Sequence, residues 1–369
     1  MSVAPDSAHS PETTPARVQR VFHFTTWADR LEPVDAYLAR LPQFDVSKNV
    51  SDPRDPALLA LARLDCDWHA ENARVFDALN HPELTFQPAS VLGVSQMMEF
   101  LQLCRQKPAE ETWWLIFMGQ HPQGLAGAWG KLGLLLRKLG VRLLYYAFDE
   151  ASRTMPCFAE LAPHLDVFVH DENPLGPSGS LLQKNCLSIH RSWVANCIPF
   201  SSPFVEQPEP VVIFLGSQLG LTPHRQRQVD FLQKKFKNAF KIFADHSVSV
   251  AERSHLGRFK VSLCPEGRKF ATPAMSATHT DRPFWSGCMG MVPVSEDSAA
   301  GGRLEALATA GLILRYPHGD LRALGEACER ALAMDNETRR RIYEHFNQEE
   351  TVGRVVADLM AAHLRSTVR

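Results

Sequence analysis

The chain has 369 residues, a formal net charge of −2, 45% hydrophobic residues and 22% charged residues. This composition is typical of a globular protein and excludes a disordered or fibrous chain. The near-neutral charge does not favour nucleic acid as a partner, and the length fits two domains of about 150 residues each.

Residues 1–18 have the composition of a tail, rich in Pro, Ser and Thr and without the apolar core of a signal peptide. Apolar runs such as VVIFL and WWLIFM are far shorter than the roughly 20 residues that span a bilayer. The eight cysteines include no CxxC pair, so neither a zinc site nor a disulfide framework is indicated. We therefore expect a cytoplasmic protein with no integral membrane segment. Peripheral association with a membrane is compatible with these features.

Residues 19–200 are predicted to form a first domain around a parallel sheet. RVFHFTTW and WWLIFMGQ each predict a strand, and the helical run LAGAWGKLGLLLRKLG ends at Gly140 before the strand VRLLYYAFDE. DVFVH and NCLSIH continue the alternation, which predicts a doubly wound sheet. Ligands bind beyond the carboxyl ends of such strands. The polar residues expected there are Thr25, Thr26, Gln120, His121, Asp149, Glu150, His170 and Asp171.

A proline-rich segment, PFSSPFVEQPEP, predicts a linker over residues 201–210. Residues 211–345 are predicted to form a second α/β domain. It opens with the strand VVIFLG and a helix that begins at Pro223 after a Thr222 cap. The strands FKIFAD, KVSLCPEG, MVPV and LILRYP follow, and then two amphipathic helices, of which the second is NETRRRIYEHFNQEETVGRVVADLMAAHL. We expect the helix over 346–369 to cross back to the first domain.

The turn GSQLGLTPHR lies between the first strand and the first helix of the second domain. Backbone N–H groups at a helix amino terminus, together with the helix dipole, suit a diphosphate. The turn matches neither the P-loop pattern nor GxGxxG. Gly216, Ser217 and Arg225 are therefore candidate contacts to phosphate.

The most distinctive stretch of the sequence runs from FKVSLCPEG to GMVPVSED. Its spaced residues are Cys264, Pro265, Glu266, Gly267, Arg282, Phe284, Gly290, Pro293, Val294 and Asp297. This stretch resembles the carboxyl-terminal half of exostosin-type and group 1 glycosyltransferases of the GT-B fold. In those enzymes a strand ending in LCPxG is followed by RxF and GCxPV, and the resemblance covers about residues 210 to 350.

The resemblance implies two Rossmann-like domains with a cleft between them, the second of which binds a nucleotide sugar. Glu266 and Gly267 would then lie by the nucleoside or sugar, Arg282 would contact the diphosphate, and Glu296 and Asp297 would face the donor. Arg268 and Lys269 add positive charge for two phosphates. The nucleoside diphosphate sugar is a co-substrate, and we expect no other cofactor.

We expect transfer without a metal ion, because the chain lacks a clear DxD triplet: Asp65-Cys66-Asp67 lies in a stretch where no strand is predicted. The run His170-Asp171-Glu172 has no fourth ligand at a recognisable spacing. Related retaining enzymes place a glutamate directly after the aromatic residue, where this chain has Trp285. The register from Glu305 to Gly311 restores a glutamate but is not followed by Pro-Val. The missing carboxylate favours inversion.

An inverting transfer needs a general base near the acceptor hydroxyl. Glu150, Asp149 and His121 are the candidates, and the longer side chain of Glu150 favours it over Asp149, which is suited to capping a helix. Trp27, Trp113 and Trp114 are candidates to stack on a sugar ring. The alternative is that their side chains fill a hydrophobic core.

These features together predict a glycosyltransferase that moves a sugar from a nucleoside diphosphate sugar to a glycan, a lipid-linked glycan or another acceptor. Two alternatives use the same scaffold: a nucleotide-sugar epimerase, and a non-catalytic protein that binds a small ligand or regulates a partner.

Overall fold

A computed structural model describes residues 17–24, 79–93, 96–118, 127–147, 156–170, 177–190, 203–216, 222–244, 255–265, 282–297 and 302–367. These residues form one six-stranded and one five-stranded sheet, with every strand pairing parallel and helices packed on the sheets. The predicted fold class, α/β with two doubly wound parallel sheets, is confirmed.

The first unit contains the six-stranded sheet. Its strands are β1 (Arg17–Phe24), β2 (Leu84–Leu92), β3 (Glu111–Met118), β4 (Val141–Tyr146), β5 (Val167–His170) and β6 (Leu187–His190), in the order β2-β1-β3-β4-β5-β6. Its helices are α1 (Met97–Cys104), α2 (Trp129–Lys138) and α3 (Pro156–Leu161).

Both faces of the first sheet are buried, which explains why its strands read as continuous apolar runs. Successive side chains of β3 point to opposite faces. Trp113 and Leu115 join the core beneath α1, α2 and α3, whereas Trp114 and Ile116 join a second core on the other face.

The edge strand β2 was not predicted from the sequence. It contains Pro88, and its pairing with β1 shifts register between Arg20 and Phe22. Proline cannot donate to the ladder and is confined to edge strands or bulges. A half-exposed edge strand with a proline lacks the pattern from which a strand is predicted.

The second unit contains the five-stranded sheet. Its strands are β7 (Glu209–Gly216), β8 (Phe240–Ala244), β9 (Phe259–Cys264), β10 (Val292–Glu296) and β11 (Leu314–Tyr316), in the order β11-β10-β9-β7-β8. Its helices are α4 (Pro223–Phe236), α5 (Arg282–Cys288), α6 (Gly302–Thr309), α7 (Leu321–Ala333) and α8 (Asn336–Gln348), and α9 (Val352–Thr367) follows them.

Side-chain caps fix the beginnings of three helices of the second unit. The predicted cap Thr222 is confirmed, because its side chain accepts a hydrogen bond from the Arg225 N–H at 3.3 Å. Asp320 and Asp335 begin α7 and α8 in the same way. Such caps satisfy backbone donors that have no partner inside the helix.

The last predicted helix is two helices, which corrects the boundary placed at residue 346. Helix α8 ends at Gln348, and α9 begins at Val352 after Thr351, whose Oγ1 accepts a hydrogen bond from the Arg354 N–H at 3.3 Å. The threonine cap starts a new helix where the sequence pattern suggested continuation.

The two last helices belong to different cores. Ile342 and Phe346 of α8 lie in the core of the second unit, whereas Val356 and Met360 of α9 pack on the first sheet beside Trp114. On that face His363 Nε2 lies 3.6 Å from Asp166 Oδ1. Helix α9 therefore covers the face of the first sheet opposite α1, α2 and α3.

Gly287 is required where α5 crosses α8. A Cβ on Gly287 would overlap the Phe346 ring, with 2.5 Å to its Cγ, and overpacking of this kind costs about 1–3 kcal/mol. We expect Gly287→Ala to lower the free energy of unfolding by that amount in urea titrations. Gly325→Ala in α7 is the matched control, since there a Cβ meets only the flexible Lys235 side chain at 3.1 Å. A Gly287→Ala variant as stable as wild type would show that the two helices can separate without cost.

Candidate functional site

Both sheets are wound in the same order, and each therefore has one switch point. In the first sheet the chain passes from β1 to β2 on one side and then returns to β3 on the other. In the second sheet it passes from β7 to β8 and returns to β9. In sheets of this kind the crevice in which ligands bind lies outside the carboxyl ends of the strands at such a point.

Arg282 lies at the switch point of the second sheet. It opens α5, which follows β9, and its Nε donates a hydrogen bond of 2.9 Å to the Leu215 carbonyl in β7. The guanidinium carbon lies 5.6 Å from the centroid of the Phe214 ring. Arg282 thus ties the start of α5 to the end of β7.

Gly216 makes room for this arginine. A Cβ at residue 216 would lie 3.1 Å from Arg282 Nη2 and 2.6 Å from Phe214 Cζ. Within the part of the chain that the structure describes, neither Nη1 nor Nη2 of Arg282 has a hydrogen-bond partner. The structure therefore fixes the arginine through Nε and leaves its two terminal nitrogens for another group.

Helix α4 begins at the same edge of the second sheet. Its first turn contains Pro223, which has no N–H, and Arg225, whose N–H is taken by the Thr222 cap. The side chain of Arg225 is partly buried. Its contact with phosphate stays a prediction.

Glu296 ends β10 and is fully buried. Its Oε1 accepts hydrogen bonds of 2.9 Å from Gln228 Nε2 and from the Gly319 N–H. The same oxygen lies 2.7 Å from His224 Nε2 and 3.3 Å from His318 Nδ1. Four protein groups thus surround one oxygen of this carboxylate.

Asp297, the next residue, forms an ion pair with Arg315 of β11, with 2.6 Å between Oδ1 and Nε. Its own N–H donates a 2.8 Å hydrogen bond to the Tyr316 carbonyl. These contacts hold the end of β10 against β11. That Glu296 and Asp297 face a donor stays a prediction.

The remaining predicted site residues lie outside the described ranges. These are the base candidates His121, Asp149 and Glu150, and the donor candidates Ser217, Glu266, Gly267, Arg268 and Lys269. Trp27, Asp171 and Glu172 also lie outside them.

Two residues weighed as sugar-stacking groups have structural positions. Trp113 and Trp114 are buried on opposite faces of the first sheet. The Trp114 Nε1–H donates a 2.8 Å hydrogen bond to Gln19 Oε1. Their rings fill the two cores of the first unit and are closed to a ligand.

Sequence reasoning missed His224, Gln228 and His318. His224 and Glu296 are 72 residues apart in the sequence, so no local spacing joins them. The usable signal was topological, because His224 follows β7 and His318 follows β11 at the carboxyl edge of a parallel sheet.

The described cysteines carry no disulfide. Burial raises the pKa of the Cys104, Cys186 and Cys328 thiols to about 12, which keeps them protonated and unreactive.

Among the described helices, none has the length and apolar character needed to cross a membrane.

The chain is similar to several solved protein structures. No protein-family model matches the chain, and no curated protein matches it. The lipopolysaccharide outer core galactosyltransferase WaaB in its apo form is 10% identical, with a TM-score of 0.40 over 95% of this chain and 99% of that chain.

Two further structures are similar to the same degree. The spinosyn forosaminyltransferase SpnP is 12% identical, with a TM-score of 0.41 over 94% of this chain and 99% of that chain. A structure described as trehalose-6-phosphate from E. coli bound with UDP-2-fluoro glucose is 10% identical, with a TM-score of 0.43 over 93% and 98%. Two of these three are glycosyltransferases by name, and similarity of this degree establishes neither a family nor an activity for the chain.

Proposed function

We propose that the chain is a glycosyltransferase that binds a nucleoside diphosphate sugar at the carboxyl edge of its second sheet. The observation that carries the proposal is the position of Arg282 at the β7–β9 switch point, fixed by the Leu215 carbonyl and stacked near Phe214. The resemblance of the surrounding stretch to the donor half of GT-B enzymes supports the same assignment.

The chemistry of the guanidinium suits this role. Arginine stays charged, and it presents its N–H groups in a planar fork that matches phosphate oxygens. Because Nε is already used by Leu215, the terminal nitrogens of Arg282 provide the fork. Contacts of this type stabilise the charge that develops on the diphosphate as the bond to the sugar breaks.

The amino end of α4 supplies a second element suited to phosphate. Its dipole is positive at this end, and the helix follows β7 on one side of the crevice while Arg282 follows β9 on the other. A diphosphate between them would be contacted from both sides. We therefore assign Gly216, Arg225 and Arg282 to donor binding.

The transfer step proposed here is an inverting displacement. A base on the first unit removes the proton of the acceptor hydroxyl, whose oxygen forms a bond to the anomeric carbon of the sugar. The bond between that carbon and the diphosphate oxygen breaks, and the nucleoside diphosphate leaves with its charge held by Arg282. No part of this step is assigned to a metal ion.

The winding of the first sheet bears on the choice of base. His121 follows β3, which borders the switch point between β1 and β3, whereas Asp149 and Glu150 follow β4, one strand further away. The sequence favours Glu150, and the topology supports His121 as an equal candidate.

The proposal is tested first by binding. A thermal-shift and calorimetric screen against UDP, GDP, TDP and their sugars should identify one nucleoside diphosphate that raises the melting temperature, because a ligand of the native state stabilises it. With that donor, free nucleotide should appear only when an acceptor is added, which separates a transferase from an epimerase. A chain that binds no nucleoside diphosphate at all would refute the proposal.

Arg282→Ala should weaken binding of that nucleoside diphosphate about 10- to 150-fold, since a hydrogen bond to a charged group contributes about 1.5–3 kcal/mol. Calorimetry measures the change in Kd, and the melting temperature of the free variant reports its fold. Arg322→Ala is the matched control, because Arg322 is exposed on α7 and pairs only with Glu326 among the described residues. Unchanged affinity in a folded Arg282→Ala variant would remove Arg282 from the donor site.

A further inference from the structure

Three side chains from separate segments meet at the carboxyl edge of the second sheet. His224 lies in the first turn of α4, Glu296 ends β10, and His318 lies between β11 and α7. One ligand-type atom of each lies within 4.8 Å of the others. We call these three residues the His–Glu cluster.

The carboxylate of the cluster is buried with two imidazoles beside it. Glu296 has 0% of its side chain exposed, and within the described part of the chain it forms ion pairs with the two histidines alone. Burying a carboxylate is costly unless a cation or metal compensates it. Positive charge on an imidazole, or a metal ion held between the three side chains, would compensate it.

The two oxygens of Glu296 are used unequally. Oε1 lies within hydrogen-bond reach of Gln228, Gly319 and His224. Oε2 is buried and has no hydrogen-bond partner among the described residues. A carboxylate held through one oxygen, with the other left over, is suited to bind a cation through the second.

A supporting layer holds the carboxylate in position. Tyr316 donates its hydroxyl to Gln228 Oε1 at 3.0 Å, which orients the Gln228 amide so that its NH₂ group faces Glu296. The Gly319 N–H adds a backbone donor. Metal-binding carboxylates are commonly oriented by outer hydrogen bonds of this kind.

The two imidazole rings are stacked and reach the same carboxylate. Their centroids are 4.5 Å apart with an interplanar angle of 12°. His224 is 18% exposed and His318 is 54% exposed, so the cluster is accessible to solvent from the side of His318.

We propose that the His–Glu cluster binds a divalent transition metal, with Zn²⁺ as the preferred ion. The ligands are His224 Nε2, His318 Nδ1 and the Glu296 carboxylate, and solvent fills the remaining position on the side of His318. Two imidazoles and one carboxylate favour zinc over Mg²⁺ or Ca²⁺, which prefer oxygen ligands.

Binding requires a small adjustment of the cluster. The two imidazole nitrogens lie 2.7 and 3.3 Å from Oε1, so an ion bound through Oε2 requires the carboxylate to turn or the imidazoles to shift. An ion needs the lone pair of each imidazole nitrogen, so a proton on either nitrogen passes to solvent. The contact of 3.0 Å between Gln228 Nε2 and His224 Nε2 is then lost. The bound ion then ties the start of α4, the end of β10 and the turn before α7 together.

This site does not rest on the proposed transferase activity, and its test uses no nucleotide. The full-length protein is stripped with a chelator, desalted, and titrated with Zn²⁺ by calorimetry and with Co²⁺ by visible absorption. We expect one equivalent of Co²⁺ to give the absorption bands of a tetrahedral ion, and Zn²⁺ to raise the melting temperature.

Three variants locate the ion. His318→Ala, in which an exposed side chain is lost, should lower the metal affinity at least about tenfold, and Glu296→Gln should do the same. His255→Ala removes an exposed histidine at the amino end of β9 and should leave the affinity unchanged. Failure of the wild-type protein to bind, or equal affinities in wild type and His318→Ala, would overturn the proposal.

Discussion

Replacing the general base should lower turnover by about 10²–10⁴, the usual span for loss of general-base catalysis. The variants are Glu150→Gln, Asp149→Asn and His121→Ala, and one of them should show the full loss. Turnover is measured as release of nucleoside diphosphate at saturating donor, with the acceptor that gives the fastest release. Donor affinity should be nearly unchanged, because the donor contacts are assigned to the second unit.

The pattern across the three variants identifies the base. A large loss in His121→Ala alone would agree with the winding of the first sheet, in which β3 borders the switch point. A large loss in Glu150→Gln alone would agree with the sequence argument from side-chain reach. Turnover within a few-fold of wild type in all three variants would place the base elsewhere.

Acid should destabilise the first unit through His23. This residue lies in β1, paired with β2 and β3, and complete burial lowers its pKa from 6.5 to about 4. Above pH 6.5 the imidazole is neutral in both states. Between pH 6.5 and 4 the imidazole is protonated in the unfolded chain but neutral in the folded chain. The free energy of unfolding therefore falls by about 3 kcal/mol over this range and is constant below it.

The measurement is urea unfolding at pH 7, 5.5 and 4.5, followed by tryptophan fluorescence. His23→Asn removes one titrating group and should reduce the slope, whatever its effect on stability at pH 7. Burial also lowers the pKa values of His164 and His363, which should retain part of the slope. His255→Ala, which removes an exposed histidine, should retain the wild-type slope. A His23→Asn variant with the wild-type slope would show that other groups cause the acid sensitivity.

Much of the fold could be predicted from the sequence because local signals and tertiary packing agree. The runs around Trp114 and Ile213 are apolar throughout, as strands buried on both faces must be, and Thr222 before Pro223 is a complete helix-start signal. The strand β2 and the break at Thr351 were missed. Pro88 interrupts the apolar pattern of β2. Thr351 was missed because a polar residue inside an amphipathic pattern can either cap a helix or face solvent.

Part of the candidate site could likewise be predicted from local sequence signals, and part could not. Arg282 and Gly216 were predicted because they belong to one recognisable stretch and one strand end. His224 and His318 were not predicted. They lie close together because of the order of the strands, and not because of their spacing along the chain. Burial of Glu296 is likewise a tertiary property, and its sequence context, a strand end before Asp297, looks exposed.

The position of α9 has a consequence for biosynthesis. Val21 in β1 and Leu359 in α9 belong to one core, although the entire second unit lies between them in the sequence. Among the described residues, the helix that packs on the sheet face with Trp114 and Ile116 is α9, which is translated last. Nascent chains with exposed apolar surface aggregate readily and are natural clients of chaperones. The second unit, by contrast, contains helices α4 to α8, which are translated together with its strands.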